Sequence, residues 1–558
     1  MAQIPNLDNA PLNLTSLREQ SKKDLLTILR NILGDKCLFI DQKLKLRHLS
    51  PEPIQTECTK VVYLIRSQLN LVKLISSQIK NDISIGTQRE YSVYFVPQRT
   101  VACEKIFEEE KVHHLLTIGE YPLYMIPLDE DMLSFELDLA YRDYLVDGDT
   151  SALWHIAKSI RKLEYSFGVI PNVWAKGKAS AQISEILTRM QVEEPVSTSK
   201  VGTSEIDTLI LLDREVDMVT PMCFQLTYEG LMDEILRVNN GSVELDASIM
   251  GNQHQEGKKT TVPLNSSDKI FKESRDLNFG AFVPVLHQKA TDMRQDYKEI
   301  QIANQSVSEI KDFVKKLNSS LPEVTRHINL AQHLTKFTSE PSFAGRLDMQ
   351  HTIVEGENYD ICFDYIEEMI HKQEPVVNVL RFLVLLSVTN SVYGLKHTAT
   401  LCNLEKAGLF KKQEVKGNWL TIKRALNLII EDIDTHAIRS GWRPIEKILK
   451  LLPGPHSEIK RGGYSSTPPI DTLPSAPANI DKVADGRRSI VLVVFVGGVT
   501  FAEISALRYH SAQKRMACDF IVGTTKVVNG QTIIETLLET CSCTKPHNHT
   551  LLIIHKSI

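Results

Sequence analysis

The chain contains 558 residues, of which 42% are apolar and 24% are charged, a composition typical of globular proteins and long enough for several domains. Its 64 basic and 69 acidic residues give a formal net charge of −5, so the charge balance predicts no nucleic-acid binding. Nine scattered cysteines, and the lack of an apolar run of ~20 residues, predict a soluble intracellular protein with reduced thiols, whose membrane contact is peripheral and made through partners.

Residues 1–135 alternate between helical and strand patterns. Leu14 to Leu33 carries apolar side chains at helical spacing, and short apolar runs follow as CLFI, VVYLI and YSVYFVP. Repeated alternation of this kind predicts a parallel sheet covered by helices. The stretch YPLYMIPLDEDMLSFEL then interrupts the rhythm with two prolines and an acidic turn. We therefore expect 1–135 to form a first α/β domain.

Residues 136–240 continue the α/β pattern as the first half of a second domain. A helix is predicted from about Thr150 to Phe167, because its apolar residues recur at steps of three and four. The run Leu209 to Leu212 reads as a strand buried on both faces, as in a parallel sheet, and it ends in an acidic turn.

Residues 241–440 show mainly helical patterns, with one possible short strand near their start. Pro322 in SSLPE predicts a break between two helices, and hence a helical hairpin, because proline cannot continue a helix interior. The run VVNVLRFLVLLSV is apolar nearly all round, which predicts a central helix of a bundle.

Residues 441–558 return to strand–helix pairs, in IVLVVFVGGVTFAEISALR and CDFIVGTTKVVNGQTIIETLLE. An isolated α/β half lacks the remaining strands of its sheet. The economical solution is that 136–240 and 441–558 form one sheet domain into which the helical block is inserted. The predicted fold class is thus α/β plus all-α, with parallel-sheet domains and a large inserted helical domain.

Two features resemble parts of a nucleotide site. Gly497-Gly498 follows a predicted buried strand and precedes a predicted helix. The sequence matches neither the G-x-G-x-x-G motif nor a P-loop, and Glu503 would repel a phosphate. Asp213 and Asp217 follow another buried strand, where carboxylates can bind magnesium or act as acid and base. The other interpretation is a hydrogen-bonded turn in which Asp217 and Thr220 cap nearby amides, and it is the favoured one.

Histidine and cysteine clusters are weaker candidates. His113-His114, and His327 with His333, lack the spacing of a zinc helix and are expected to be surface or packed residues. Near the end of the chain, Cys541, Cys543, His547 and His549 have side chains that can bind zinc, but their spacing is unusual for a zinc site. A frayed tail is expected there. On these residues the chain is predicted to be a binding platform without cofactors, not an enzyme; the alternative is an α/β nucleotide-dependent hydrolase using Asp213, Asp217 and the glycine turn.

Several stretches resemble a known family. LLDREVDMVTPMCFQLTYEGLMDEI (211–235) is similar to the signature of the SM (Sec-one/Munc-eighteen-like) family of membrane-fusion regulators. NLEKAGL (403–409), GWRPIEKILKLLPGPH (441–456) and FVGGVTFAEISALR (495–508) resemble its vacuolar protein sorting-associated protein 33 branch, and are closer to the A-type. The signature positions expected to be structural are Asp213, Arg214, Asp217, Thr220, Pro221, Tyr228, Glu229, Gly497, Gly498, Thr500 and Glu503.

The resemblance implies an arch-shaped protein that binds helical SNARE segments while they zipper into bundles. It further implies a subunit of HOPS and CORVET tethering complexes, docked on a scaffold subunit with a β-propeller and a helical solenoid. The expected location is cytoplasmic, peripheral on late endosomes and lysosomes. The SNARE-binding hairpin would include Lys315, Lys316, Pro322, Glu323, Arg326 and His327. The scaffold would dock on 374–412, with candidate residues Val379, Arg381, Phe382, Leu404 and Leu409.

Overall fold

The computed structural model describes residues 5–41, 59–86, 88–196, 204–246, 249, 259–302, 307–356, 358–389, 454–461, 488–513, 518–538 and 551–556. They fall into two compact units. One comprises Leu7–Pro127, Ser134–Glu136 and Cys543–Ile558, and the other comprises Met1–Asn6, Leu128–Leu133 and Leu137–Ser542.

The first unit contains a five-stranded sheet flanked by helices. Its elements are α1 (Leu14–Asn31), β1 (Lys36–Asp41), β2 (Lys60–Arg66), α2 (Leu69–Ser84), β3 (Glu90–Val96), α3 (Val101–Glu109), β4 (Leu116–Glu120) and β14 (Leu551–Lys556). The strand order is β14-β1-β2-β3-β4, and β1 to β4 are parallel, as predicted. The prediction of a frayed tail is wrong for residues 551–556. They pair antiparallel with β1 and provide hydrogen-bond partners for the backbone groups on its outer edge.

Both faces of this sheet are buried, which explains its continuous apolar strands. Tyr63 and Ile65 point to one face, where they cluster with residues of α2 and α3, including the buried thiol of Cys103. Val62 and Leu64 point to the opposite face and pack with α1. Successive residues of a strand alternate between faces, so a sheet covered by helices on both sides needs apolar residues at every position.

The second unit is built on a seven-stranded sheet of order β11-β7-β8-β12-β13-β6-β5. Its strands are β5 (Ile126–Asp129), β6 (Met132–Ser134), β7 (Asn172–Lys176), β8 (Thr208–Asp213), β11 (His456–Lys460), β12 (Ser489–Val496) and β13 (Cys518–Thr524). The associated helices are α4 (Ala140–Arg142), continued by a π turn at Asp143–Asp147, α5 (Ser151–Phe167), α6 (Lys178–Glu193), α15 (Phe501–Ala512) and α16 (Gly530–Leu538).

One pairing decides how the chain is organised. β8 and β12 are adjacent and parallel, with Leu209 opposite Leu492 and Leu211 opposite Val494. β7 and β13 extend this parallel core on either side. The prediction that two distant α/β stretches share one sheet is confirmed, because residues on opposite sides of the helical block are hydrogen-bonded neighbours.

The chain between β8 and β11 is mainly helical in its described part. It contains α7 (Val219–Met222), α8 (Tyr228–Leu236), β9 (Ser242–Asp246), β10 (Lys259–Pro263), α9 (Lys269–Ser274), α10 (Phe279–Ile302), α11 (Val307–Thr338), α12 (Pro341–Glu355), α13 (Tyr359–His371) and α14 (Val376–Thr389). The sequence pattern allowed one short strand here, whereas β9 and β10 form an antiparallel pair. As predicted, α14 is central: residues 379–386 are all buried.

The predicted helix break at Pro322 is wrong. α11 runs continuously from Val307 to Thr338 with the proline inside it. A proline removes one N–H donor and crowds the preceding turn. Directly after it, Val324, Leu330 and Leu334 are buried in the core, so tertiary packing holds the helix despite that loss. The paired helices are instead α10 and α11, which pack against each other.

Candidate functional site

The pair of α10 and α11 is fixed to the rest of its unit by a buried polar chain. The Tyr228 hydroxyl donates to Nδ1 of His327 at 2.8 Å, and Nε2 of His327 donates to Asp268 at 3.0 Å. The Tyr228 ring stacks on Phe282 with centroids 3.7 Å apart. Burial alone would raise the pKa of Asp268, but hydrogen bonds from His327 and the Phe271 amide, together with the Arg326 charge, hold it below its ordinary value.

This arrangement corrects one predicted binding residue. His327 was expected on the surface of a SNARE-binding hairpin, but it is completely buried and both ring nitrogens are bonded within the chain. It therefore positions α11 and does not contact a partner. The reason is helical geometry, because His327 shares the inner face of α11 with Val324 and Ala331.

The neighbouring predicted residues remain at the surface. Pro322 is exposed and Glu323 is partly exposed. Arg326 is also partly exposed and donates to Asp268 at 3.2 Å. Burial, with the nearby Asp268 charge, raises the pKa of Glu323. Lys315 and Lys316 lie in α11, but their side chains are outside the described part of the structure.

An open apolar groove of about 660 Å³ runs between α10 and α11. Its lining residues are Val283, Leu286, His287, Ala290, Ile328, Ala331, Gln332, Thr335, Lys336 and Ser339. Its apolar lining residues are aliphatic, and most of its polar ones lie on α11 or directly after it, where Lys336 contributes a cation. Val283 is 41% exposed although it is a large aliphatic residue on a long helix. Such a groove can accept the apolar face of an amphipathic helix from another protein.

The sequence analysis missed these groove residues. Val283 and Ile328 follow the same helical period as true core residues, so periodicity assigns both to the interior. Only the packing of α10 against α11 shows which apolar positions remain uncovered.

The signature residues at the carboxyl end of the central strands are bonded to one another. Asp213 is buried and accepts hydrogen bonds from the backbone N–H groups of Ala179 and Ser180, both at 2.8 Å. It therefore caps the start of α6. Burial raises the pKa of Asp213. Asp217 accepts from the amides of Val219 and Thr220, both at 3.0 Å, so the capping interpretation is confirmed for Asp217. The Thr220 hydroxyl instead donates to the Asp217 carboxylate.

Arg214 joins the two halves of the sheet. Its guanidinium, 2% exposed, donates to both oxygens of Glu503 at 2.8 Å. It also donates to the carbonyl oxygens of Asp217 and Gly498. Bidentate pairs of this kind combine charge with fixed geometry. The pair connects residues that are 289 positions apart in the sequence.

Several amides of the glycine turn and of the start of α15 donate to other groups of the chain. Thr500 and Glu503 form a capping box in which the Thr500 amide donates to Glu503 and the Glu503 amide donates back to Thr500. The Ala502 amide donates to Gln225 at 3.0 Å. Gly498 has a φ of +116°, and an added Cβ would lie 2.6 Å from Val528, so the turn is closely packed. These contacts favour a structural role over nucleotide binding.

The comparison with known proteins identifies the family. A model of the Sec1 family matches residues 24–536. The chain belongs to this family. The vacuolar protein-sorting-associated protein 33 homolog of Arabidopsis thaliana is 61% identical, covering 97% of this chain and 100% of the relative. The vacuolar protein sorting-associated protein 33A of Rattus norvegicus is 30% identical, covering 96% and 99%. The resemblance to the SM family and to its 33 branch is therefore confirmed.

Solved structures agree with this assignment at the level of the fold. The SM protein Vps45, solved in complex with the Qa SNARE Tlg2, has a TM-score of 0.57 and 15% identity, covering 93% of this chain and 97% of that chain. The Unc18–syntaxin 1 complex from Monosiga brevicollis has a TM-score of 0.57 and 15% identity, covering 94% and 99%. At this identity the similarity establishes the Sec1-family fold alone.

Three predicted scaffold-docking residues of this Sec1-family chain are corrected by the structure. Val379, Arg381 and Phe382 on α14 are at most 3% exposed. Arg381 pairs with both oxygens of Glu234 at 2.8 and 2.9 Å and donates to the carbonyl of Met222. These side chains hold the helical block together and cannot form a docking surface. Leu404 and Leu409 lie outside the described residues.

The remaining candidates give no metal or membrane site in the described structure. Cys541, Cys543, His547 and His549 lie outside it, and among the residues it includes no group of three or more potential ligands could hold a metal ion. His113 and His114 are exposed, as expected for surface histidines. None of the described helices combines the length and apolarity needed to cross a bilayer.

Proposed function

We propose that this Sec1-family chain regulates SNARE-mediated membrane fusion, and that the groove between α10 and α11 receives one SNARE helix. The main supporting observation is an open aliphatic groove, bordered by Lys336, in the described part of a member of this family. SNARE segments are amphipathic helices, which bury an apolar face and expose charges. The groove supplies apolar contacts, and the rim around Lys336 sets orientation and encounter rate.

The comparisons support a SNARE partner without identifying it. Vps45 was solved with the Qa SNARE Tlg2, and Unc18 from Monosiga brevicollis was solved with syntaxin 1. The two relatives from Arabidopsis thaliana and Rattus norvegicus carry names that refer to vacuolar protein sorting. We infer the same pathway here: peripheral attachment to late endosomes and lysosomes, as a subunit of a HOPS- or CORVET-type tethering complex. The scaffold subunit is expected to combine a β-propeller with a helical solenoid.

We also propose that the chain is not an enzyme. Asp213 caps α6, Asp217 caps the next turn, and the amides at the start of α15 donate within the chain. The residues assigned to the hydrolase alternative are thus engaged in holding the sheet together. On this basis 136–240 and 441–558 supply the two halves of one domain, with 241–440 inserted between them, except that Leu551–Lys556 pairs with β1 in the first unit.

The decisive experiment compares two valines on α10. Val283 lines the groove and is 41% exposed, whereas Val285 is 38% exposed and does not line it. We expect Val283→Glu to weaken binding of a single SNARE helical segment at least tenfold, because it places a charge in an apolar contact; tenfold corresponds to about 1.4 kcal/mol. Val285→Glu should leave binding within twofold. Isothermal titration on purified protein measures both.

Equal effects of the two substitutions would contradict the assignment of the groove. A second measurement tests the predicted rim: reversing the charge of Lys315 and Lys316 should slow association at low salt while changing dissociation little. Tethering-complex membership is tested separately, by purification from cells and identification of the bound chains.

A further inference from the structure

Two buried arginines in the second unit share a single carboxylate. Arg161 lies on α5 and Arg461 directly follows β11, with side chains 2% and 7% exposed. Both contact Glu164, which is fully buried: Nη1 of Arg161 lies 2.9 Å from Oε2, and Nη2 of Arg461 lies 2.8 Å from Oε1. In the part of the chain that the structure describes, Glu164 is the one carboxylate paired with either guanidinium. The cluster therefore has one positive charge in excess.

The excess charge resides on Arg461. Arg161 has further acceptors, since it also donates to the Gln191 side chain and to the Glu194 carbonyl. Among the described residues, the buried Nε and Nη1 of Arg461 have no hydrogen-bond partner, whereas on Arg161 this holds for Nε alone. Its position is fixed, because its backbone N–H donates to the Pro171 carbonyl at 2.7 Å. Burial, only partly offset by Glu164, lowers the pKa of Arg461.

Two other buried arginines of the same unit, Arg214 and Arg381, each have a carboxylate of their own. Arg214 is paired with both oxygens of Glu503. Arg381 is paired with both oxygens of Glu234, and its Nε donates to a carbonyl. A buried guanidinium with unpaired donors is unfavourable, because each unpaired group has given up its water without replacement. The difference at Arg461 points to a ligand that brings both the acceptors and the negative charge.

We propose that Arg461, held in place by Glu164 and assisted by the charge of Arg161, binds one small oxyanion of the phosphate type. Phosphate oxygens accept several charge-assisted hydrogen bonds, and guanidinium groups match them closely. The site lies at the end of β11, the edge strand of the seven-stranded sheet, at the opposite side of that sheet from β5. This inference does not depend on SNARE binding.

The test uses the full-length protein and inorganic phosphate, with sodium chloride at equal ionic strength as the reference. We expect phosphate to raise the thermal unfolding midpoint saturably, by about 1–3 °C at concentrations well above Kd. Arg461→Met should abolish this rise, and it should unfold no earlier than the native protein without phosphate, because it removes an uncompensated buried charge. Arg488→Met, at a 40% exposed arginine paired with Asp519, is the matched control and should keep the rise.

Two further measurements identify the source of the anion and keep the proposal testable if Arg461→Met does not fold. Titration with O-phosphoserine identifies the source of the anion. If O-phosphoserine binds more tightly than inorganic phosphate, the ligand is a phosphorylated side chain. If it does not, the ligand is a free anion. Arg461→Lys keeps the charge with fewer donors and should weaken phosphate affinity at least threefold. The proposal is overturned if neither probe gives a saturable rise with the native protein, or if Arg461→Met or Arg461→Lys binds phosphate as the native protein does.

Discussion

The ion pair between Arg214 and Glu503 should be a principal link between the two halves of the sheet. Glu503→Gln keeps the size and the capping oxygen but removes the charge. Arg214 is 2% exposed and bonded to both Glu503 oxygens at 2.8 Å. Removing one partner of a buried pair costs about 3–5 kcal/mol. Arg214 keeps two backbone acceptors and lies 3.8 Å from the half-exposed Asp217 carboxylate, so we expect a loss near the lower limit, about 3 kcal/mol.

A second substitution separates the ion pair from the helix cap. Glu503→Ala also removes the acceptor of the Thr500 amide, so it should cost about 1 kcal/mol more than Glu503→Gln. The control is Glu535→Gln, which breaks a pair with the 52% exposed Arg237 and should cost under about 1 kcal/mol. Equilibrium urea unfolding of the three variants gives the differences. If Glu503→Gln costs no more than Glu535→Gln, the reasoning about this junction is refuted.

Three further predictions concern buried or strained positions in the same unit. Burial, followed by the Glu234 charge, raises the pKa of Asp233 to about 7, so this group stabilises the fold fully below about pH 4 and its contribution is lost as the pH rises toward 7. The stability gained by Asp233→Asn over the native protein should therefore grow between pH 4 and pH 8 in denaturation experiments, and a gain independent of pH would contradict the assignment. Gly498→Ala should cost over about 2 kcal/mol, because φ is +116° and Val528 is 2.6 Å from the new Cβ, whereas Gly148→Ala, with φ +70° and open space, should cost about 1 kcal/mol. Arg381→Met should cost about 3–5 kcal/mol by leaving Glu234 buried and unpaired, and normal thermal stability together with lost scaffold binding would restore Arg381 as a docking residue.

The sheet could be predicted because its signals are local. Each β-branched run, such as the one around Leu209, is long enough and apolar enough to read as a strand buried on both faces. The joining of the two halves followed from a simple physical requirement, since unpaired parallel strands would leave backbone groups unsatisfied. Pairing of Leu209 with Leu492 meets that requirement.

The helical block was harder to predict because its decisive contacts are not local. Pro322 predicts a break by its own chemistry, yet buried residues further along α11 keep the helix continuous. His327 reads as a polar surface residue until Tyr228 and Asp268 are brought to its two ring nitrogens. Arg381 likewise reads as an exposed charge on an apolar helix. In each case a partner distant in sequence reverses the local preference.

The helix α8 explains why the stretch 211–235 is such a specific signature. Along nine residues it contacts four different parts of its unit. Tyr228 donates to α11, and Glu229 pairs with an arginine of α15. Asp233 accepts from the residue before α16, and Glu234 pairs with α14.

These contacts couple the groove to the sheet. The carboxylates of Glu229 and Asp233 are four residues apart and so share one face of α8, which is turned to the C-terminal half of the sheet. Tyr228 lies one residue earlier, on a neighbouring face, and reaches the helical pair. A rotation of α8 that improved one contact would break the others, because the side chains are fixed to a common helical cylinder. The orientation of the groove on α10 and α11 is therefore set by the same helix that closes the sheet, and substitutions in α8 should impair sheet stability and partner binding together.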